Sequence, residues 1–422
     1  MSTRQDGQTV PEPTGQPELQ ALKARCVFPV TSEPIPNGLV TIQGERIVAV
    51  GRETPAGHVH DLGNVAIVPG LVNAHTHLEF SDLSEPLGRP GIAMTDWVGE
   101  VMRYRRGAGY DPREAVAAGL RESVICGTAL LGEIAQPDSP TSLFETAPTA
   151  TTVFLELIAP TADRVDPAIE LARRHLESAG PSGRWLPGLS PHAPYSVHPR
   201  LLRHVAELSQ HGRFPIAFHL AESREEMELL GRGTGPFRDF LQRLGAWDAG
   251  AFPGGRRPLD YLRELAAAHR ALVIHGNYLD DEEIAFLAAR ADRMAVVYCP
   301  RTHAHFGHAG YPLTKLLQSG ATVALGTDSR ASSPDLSVLA EMRLVARKHA
   351  SIRPDTVLQL GTILGARALG RDHVLGSLQP GKHADLAAVA LPDRDAPDPH
   401  ELLFDSDLPV VAAWHRGRRV DE

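Results

Sequence analysis

Eight short apolar runs recur in this chain between Ile67 and Asp328, each separated from the next by a longer amphipathic stretch. In order they read "IVPGLVNAH", "TALLGEIA", "TTVFLELIA", "WLPGLSPH", "PIAFHLAES", "ALVIHG", "MAVVYCP" and "TVALGTD". Helical periodicity is clear in "PREAVAAGLRESVI" and "DLSVLAEMRLVARKHA", and the acids of "LDDEEIAFLAAR" fall where a helix N-terminal dipole favours them. Eight strands separated by helices predict an α/β fold, a closed (β/α)8 TIM-like barrel over residues 67–374.

The flanks have a different character. "GLVTIQGERIVAVG" shows β-branched runs broken at Gly44, as in a hairpin, and "GSLQPGKHADLAAVALP" and "VVAAWHRGRRV" return to strand and turn chemistry. Residues 19–66 and 375–422 are therefore expected to meet in one small β-sandwich domain, with residues 1–18 as a disordered polar leader. The Pro/Asp-rich "PDRDAPDPHE" reads as a surface loop, and no repeat of fixed period is present.

Composition narrows the function. With 42% hydrophobic and 22% charged residues the chain is globular, and 51 acidic against 42 basic residues with no long basic run exclude the electrostatic footprint of a nucleic-acid or membrane-surface protein. A small-molecule substrate is the expected partner. Cys26, Cys126 and Cys299 are too far apart for a Cys-x-x-Cys zinc site or a disulfide framework, which fits a reducing compartment. The N-terminus lacks a signal core or transit pattern and no stretch approaches a membrane span, so the expectation is a cytoplasmic protein.

In such a barrel, functional groups gather at the carboxyl ends of the strands. The first run ends in His75 and His77, which share a face because strand side chains alternate; the pair is either a metal chelate or two polar residues at a strand terminus. The fourth run ends in His192, the fifth in His219 followed by Glu222, the sixth in His275 and the eighth in Asp328. Any one of these, among 20 histidines, reads as a hydrogen-bonded structural group. Polar groups behind apolar runs at five of eight strand ends are harder to reconcile with packing, because buried polar groups cost free energy unless partnered. A divalent metal would supply that partner.

"PGLVNAHTHLE", "HLAES", "VIHGN" and "LGTDS", in this order, resemble the signature of the amidohydrolase superfamily, in its deaminase and chlorohydrolase branch. "GSLQPGKHADLAAVAL" is similar to that family's returning β-domain segment, and "VNAHTHLEFSDL" with "YCPRTH" looks most like its aminofutalosine deaminases. The resemblance implies His75, His77, His219 and Asp328 as metal ligands, Glu222 and His275 acting on substrate and water, His192 contacting substrate, and a homodimer. Three imidazoles and a carboxylate suit zinc, with ferrous iron the alternative, and leave a position for a water whose pKa the metal lowers. Asp328 can accept that water's proton while His275 orients it. Glu222 suits a proton shuttle; the other reading makes it the N-cap of "SREEMELLG".

Binuclear members of the superfamily bridge two metals with a carboxylated lysine. The lysines here are Lys23, Lys315, Lys348 and Lys382, none on the first six strands, so one metal is expected, and Glu133 and Glu156 are read as core or supporting groups. Small zinc deaminases with a Pro-Cys-x-x-Cys are excluded. Among loop residues, Phe80 and Tyr195 could flank a heterocycle, and Glu79, Arg301 and Ser329 could read its edge or a pendant carboxylate; each could instead pack locally, Arg301 through an ion pair. His303, His305 and His308 read as flexible loop histidines near the mouth. The expected reaction is hydrolytic deamination of a purine nucleoside derivative, with aminofutalosine favoured by the resemblance. Its rivals are dechlorination or cyclic amide hydrolysis at the same site, and a scaffold without metal.

Overall fold

The computed structural model describes residues 19–55, 58–178 and 183–420. Eight parallel strands form the barrel: β1 (Leu71–Thr76), β2 (Thr128–Ala135), β3 (Ala150–Leu157), β4 (Trp185–Pro191), β5 (Pro215–Leu220), β6 (Arg270–His275), β7 (Met294–Tyr298) and β8 (Thr322–Leu325). Each pairs with its neighbour in chain order, and each falls within or overlaps one of the eight apolar runs. The seam between β8 and β1 closes just beyond the end of β8. There Thr76 bridges Asp328, the Asp328 N–H donates to the His75 carbonyl at 3.1 Å, and Asn73 exchanges side-chain bonds with Thr327.

Two apolar clusters divide the strand residues by face. Ala217, Leu272, Ile274, Ala295, Val297 and Ala324 pack mainly against one another across the strands, with Val72, Ala74, Leu130, Ile134 and Phe154. Their neighbours Ile216, Phe218, Val273, Val296 and Val323 pack outward with helical residues such as Leu201, Leu262 and Leu316. This is the period-two alternation of a strand buried on both sides. On β1 it is interrupted by a register shift between Asn73 and Thr76. After inward-facing Val72 and Ala74, the extra residue lets His75 and His77, rather than Thr76, take the inner face.

Two glycines let the neighbouring strands close on β1 at that point. A Cβ on Gly132 would lie 2.3 Å from the Ala74 carbonyl oxygen, and one on Gly326 would lie 2.8 Å from that of His75. Neither obstacle is a movable side-chain tip. Gly326→Ala is therefore expected to cost about 1–3 kcal/mol, the usual range for overpacking. The control Gly51→Ala, where a Cβ meets nothing within 4 Å, should stay within about 0.5 kcal/mol. Equal urea midpoints for the two variants would refute the close-approach reading.

Beside the barrel lie two smaller sheets. One is built from Arg46–Gly51, Leu39–Gln43, Leu19–Lys23 and His58–Asp61; the other runs Arg418–Val420, Val410–His415, Leu386–Ala390, Val65–Pro69, Cys26–Val27 and Ile35–Pro36. Leu22, Val40, Ile42 and Ile47 of the first pack with Val27, Ile67, Leu386 and Trp414 of the second, a β-sandwich drawn from both ends of the chain. The hairpin turn is at Gly44, whose φ of 56° is left-handed. The leader expected at residues 1–18 lies outside the described residues. Among the described residues no helix is long and apolar enough to cross a membrane.

Candidate metal centre

The barrel's carboxyl end collects the imidazoles. His219, at the end of β5, has its Nδ1 2.9 Å from the His192 carbonyl oxygen; an N–H there must donate, which leaves the Nε2 lone pair facing the centre. His275 and Asp328 reach the same point by a different device. Because Ala271 and Val273 face outward, simple alternation would send His275 outward too, but its φ of 69° is left-handed and breaks the alternation. Asp328 also has a left-handed φ, 54°. Non-glycine residues in this region are strained, and here both lie among the clustered histidines. Tyr311 Oη donates to the His275 carbonyl at 2.9 Å and holds the turned backbone.

One ligand-type atom each from His75, His219 and His275, and likewise from His75, His77 and Asp328, fall within 4.8 Å of one another. Asp328 Oδ1 is 3.6 Å from His75 Nε2 and 3.7 Å from His77 Nε2, while its Oδ2 accepts from Ser332 Oγ at 3.1 Å. Neither ring nitrogen of fully buried His75 has a hydrogen-bond partner, nor does His77 Nδ1. Orphaned buried nitrogens are costly unless something binds them. The donor set, imidazoles and one carboxylate, has the chemistry of a zinc or ferrous iron site.

Electrostatics keep His77, His219 and Asp328 in binding-competent forms. Burial, reinforced by His75, pushes His77 down to about 3, and burial pushes His275 down to about 3 despite the opposing pull of Asp328. His219 is also driven well below the ordinary histidine value by burial and the surrounding imidazoles. Asp328 goes the other way from what burial alone would do: the adjacent imidazole of His75, with those of His275 and His77, holds it well below the usual carboxylate range. Glu222 Oε1 lies 3.2 Å from His275 Nε2, and burial, then the Asp328 charge, raises its carboxyl well above normal. It is poised as an acid.

Glu222 does not cap the following helix. Ser223 does, its Oγ accepting from the Glu226 N–H at 3.1 Å, and buried Glu226 accepts from the Ala221 and Glu222 N–H groups at 2.8 and 2.7 Å. Ala221 has a left-handed φ of 54°. Strand β5 thus breaks where the chain must turn Glu222 toward His275.

A cavity of about 500 Å³ opens onto the cluster, lined by His77, His192, His219, Glu222, Asp328 and Ser329, with Phe80 and Tyr195 on its walls. Two of the expected substrate contacts are absent from that lining. Glu79 is buried and gripped by Arg105 at 2.5 and 3.1 Å and by Tyr110 Oη at 2.7 Å. Arg301 is held by Glu341 at 2.5 Å and Asp335 at 2.7 Å, so the ion-pair alternative describes its geometry. His303 and His305 lie on the short helix Pro300–His305, and His308 pairs with Tyr278 Oη at 3.0 Å; none of the three lines the cavity.

The sequence reading missed most of the apolar wall. Trp97, Val101 and Met102 come from the helix Met94–Arg105, and Phe240 and Leu241 from the helix Pro236–Arg243. The available signal was length, because the chain between β1 and β2 and that between β5 and β6 are each far longer than one crossover helix requires. Glu156, read as a core or supporting group, also lines the cavity. It shares the inward parity of Phe154 on β3.

Residues 66–421 match the model of the amidohydrolase family. The chain belongs to that family. This amidohydrolase is 29% identical over 360 residues to an aminodeoxyfutalosine deaminase of Deinococcus radiodurans, covering 79% of this chain and 82% of that protein. It is 28% identical over 428 residues to a 5-methylthioadenosine/S-adenosylhomocysteine deaminase of Moorella thermoacetica, covering 95% and 91%. Its fold superimposes on Helicobacter pylori aminofutalosine deaminase, solved with methylthio-coformycin, with a TM-score of 0.83 at 22% identity, over 95% of this chain and 100% of that one.

Proposed function

We propose that this amidohydrolase is a metal-dependent hydrolytic deaminase of a purine nucleoside derivative, with an aminofutalosine-type nucleoside as the leading substrate. The observation that carries the reading is Glu222: a buried carboxyl, raised in pKa, 3.2 Å from His275 and facing the same cavity as His77, His219 and Asp328. The two deaminase relatives support it.

His75, His77, His219 and Asp328 would hold one divalent cation, zinc first and iron as the alternative. When bound, that cation supplies the Lewis acidity that makes water nucleophilic near neutral pH. The chain's own residues do the rest. His275 orients the attacking water, and Asp328 accepts its proton. Glu222 protonates the ring nitrogen beside the amine-bearing carbon, so that carbon accepts the water oxygen; the proton that Asp328 took from the water passes to the amine, the carbon–nitrogen bond breaks with its electron pair on nitrogen, and ammonia leaves as the remaining hydroxyl proton returns to Glu222 and the carbonyl forms. His192 and Ser329 contact the heterocycle, with Phe80 and Tyr195 as walls. We take the enzyme to act as a cytoplasmic homodimer, a reading that a monomer mass by light scattering would remove in its oligomeric part.

Metal-replete protein should release ammonia from at least one of aminofutalosine, adenosine and S-adenosylhomocysteine. No ammonia from any aminopurine nucleoside, with chloride release or cyclic amide opening instead, would overturn the deaminase reading.

A further inference from the structure

Glu156 is the carboxylate in the cavity lining that the reaction above leaves unused. It is 3% exposed, and its Oε2 accepts from Gln136 Nε2 at 2.6 Å with the Arg105 guanidinium 3.6 Å away. Oε1 receives no hydrogen bond from the described residues and lies 3.8 Å from His192 Nε2. The Arg105 guanidinium is itself fixed by its bonds to Glu79, so Glu156 is held in place from behind with one oxygen left over. A carboxylate oxygen that faces a cavity with no protein donor is open to a donor on a bound ligand, which would take the place of water there.

We propose that Glu156 is a specificity-determining residue that accepts hydrogen bonds from the sugar hydroxyls of the substrate. This rests on the nucleoside reading above. Its place on the wall gives the reason. The groups assigned to the reacting ring, Glu222, His275 and Asp328, come from the β5, β6 and β8 ends, whereas Glu156 is on β3, beside His192 at the end of β4. A nucleoside with its base against Glu222 and His192 would carry its ribose along the β3 and β4 side, where an acceptor without a donor faces hydroxyls that need acceptors.

The test compares adenosine with its 2′-deoxy and 3′-deoxy analogues on metal-replete wild type and Glu156→Gln, with metal content measured for both. Removing a hydrogen bond to a charged group should lower wild-type kcat/KM for at least one deoxy analogue by about ten- to a hundredfold. Glu156→Gln should lose a similar factor on adenosine and little on that analogue, so that the discrimination collapses. Equal losses on all three substrates, or wild type blind to both hydroxyls, would overturn the assignment. Should no nucleoside be deaminated, the function reading fails by itself, and calorimetric binding of inosine and its deoxy forms decides this one: equal affinities for wild type overturn it, whereas a hydroxyl preference lost in Glu156→Gln sustains it.

Discussion

Glu222→Gln should bind its metal and its substrate and turn almost nothing over, with kcat falling about a hundred- to ten-thousandfold, the range for loss of a positioned acid–base group. The substitution keeps the side chain's size and polarity and removes its titrating proton. Glu222 belongs to neither of the close-packed ligand groups, so metal content should match wild type. Its backbone is held independently of the carboxyl, the N–H by Glu226 at 2.7 Å and the carbonyl by Asn277 Nδ2 at 2.8 Å. The variant should therefore fold normally, with KM changed only a fewfold. Metal analysis beside steady-state kinetics checks both halves. A rate near wild type would mean that ring protonation comes from elsewhere, and unchanged kcat with a raised KM would make Glu222 a binding group only.

The parts of this molecule that could be read from the sequence follow simple periodic rules. The eight barrel strands were legible because each is a short apolar run with turn or helix chemistry beside it, and alternation alone paired His75 with His77. The inward parity of Glu156 was equally available, but the apolar run "TTVFLELIA" looks the same on both faces, so it gave no reason to prefer a cavity wall over the core. His275 could be placed at a strand end but not aimed, because its direction depends on a left-handed φ of 69° that no local pattern encodes. The side-chain partners of Glu79 and Arg301 were out of reach for another reason. Arg105 and Tyr110 lie 26 and 31 residues from Glu79, and Glu341 lies 40 from Arg301, so the bonds depend on how distant helices dock. Where a charge finds a tertiary partner, a loop residue that looks available to substrate is already engaged.

Asp328→Asn should weaken metal retention and turnover together, and the contrast with Glu222→Gln separates ligand from proton carrier. Asparagine tolerates the left-handed φ of 54° at this position, so the barrel seam should survive the change. What cannot survive is the division of labour between the two oxygens, Oδ1 facing His75 and His77 and Oδ2 accepting from Ser332 Oγ. An amide that turns its NH2 toward the imidazoles presents a donor where a ligand is needed. Turned the other way, it presents a neutral oxygen that binds a cation weakly and takes a proton from water poorly. The donor set then holds no anion, and affinity should drop at least as much as the ten- to hundredfold typical of disturbing a metal site's supporting groups. Stability gives a readout separate from activity. Wild type stripped with a chelator and refilled with zinc at about a hundred times its Kd should regain roughly 2.7 kcal/mol, seen as a rise in Tm, whereas Asp328→Asn at the same zinc concentration should regain about 1.4 kcal/mol after a tenfold loss of affinity and about 0.4 kcal/mol after a hundredfold loss. An Asp328→Asn protein that holds one metal per chain through the same stripping, with the wild-type Tm response, would remove this carboxylate from the ligand set.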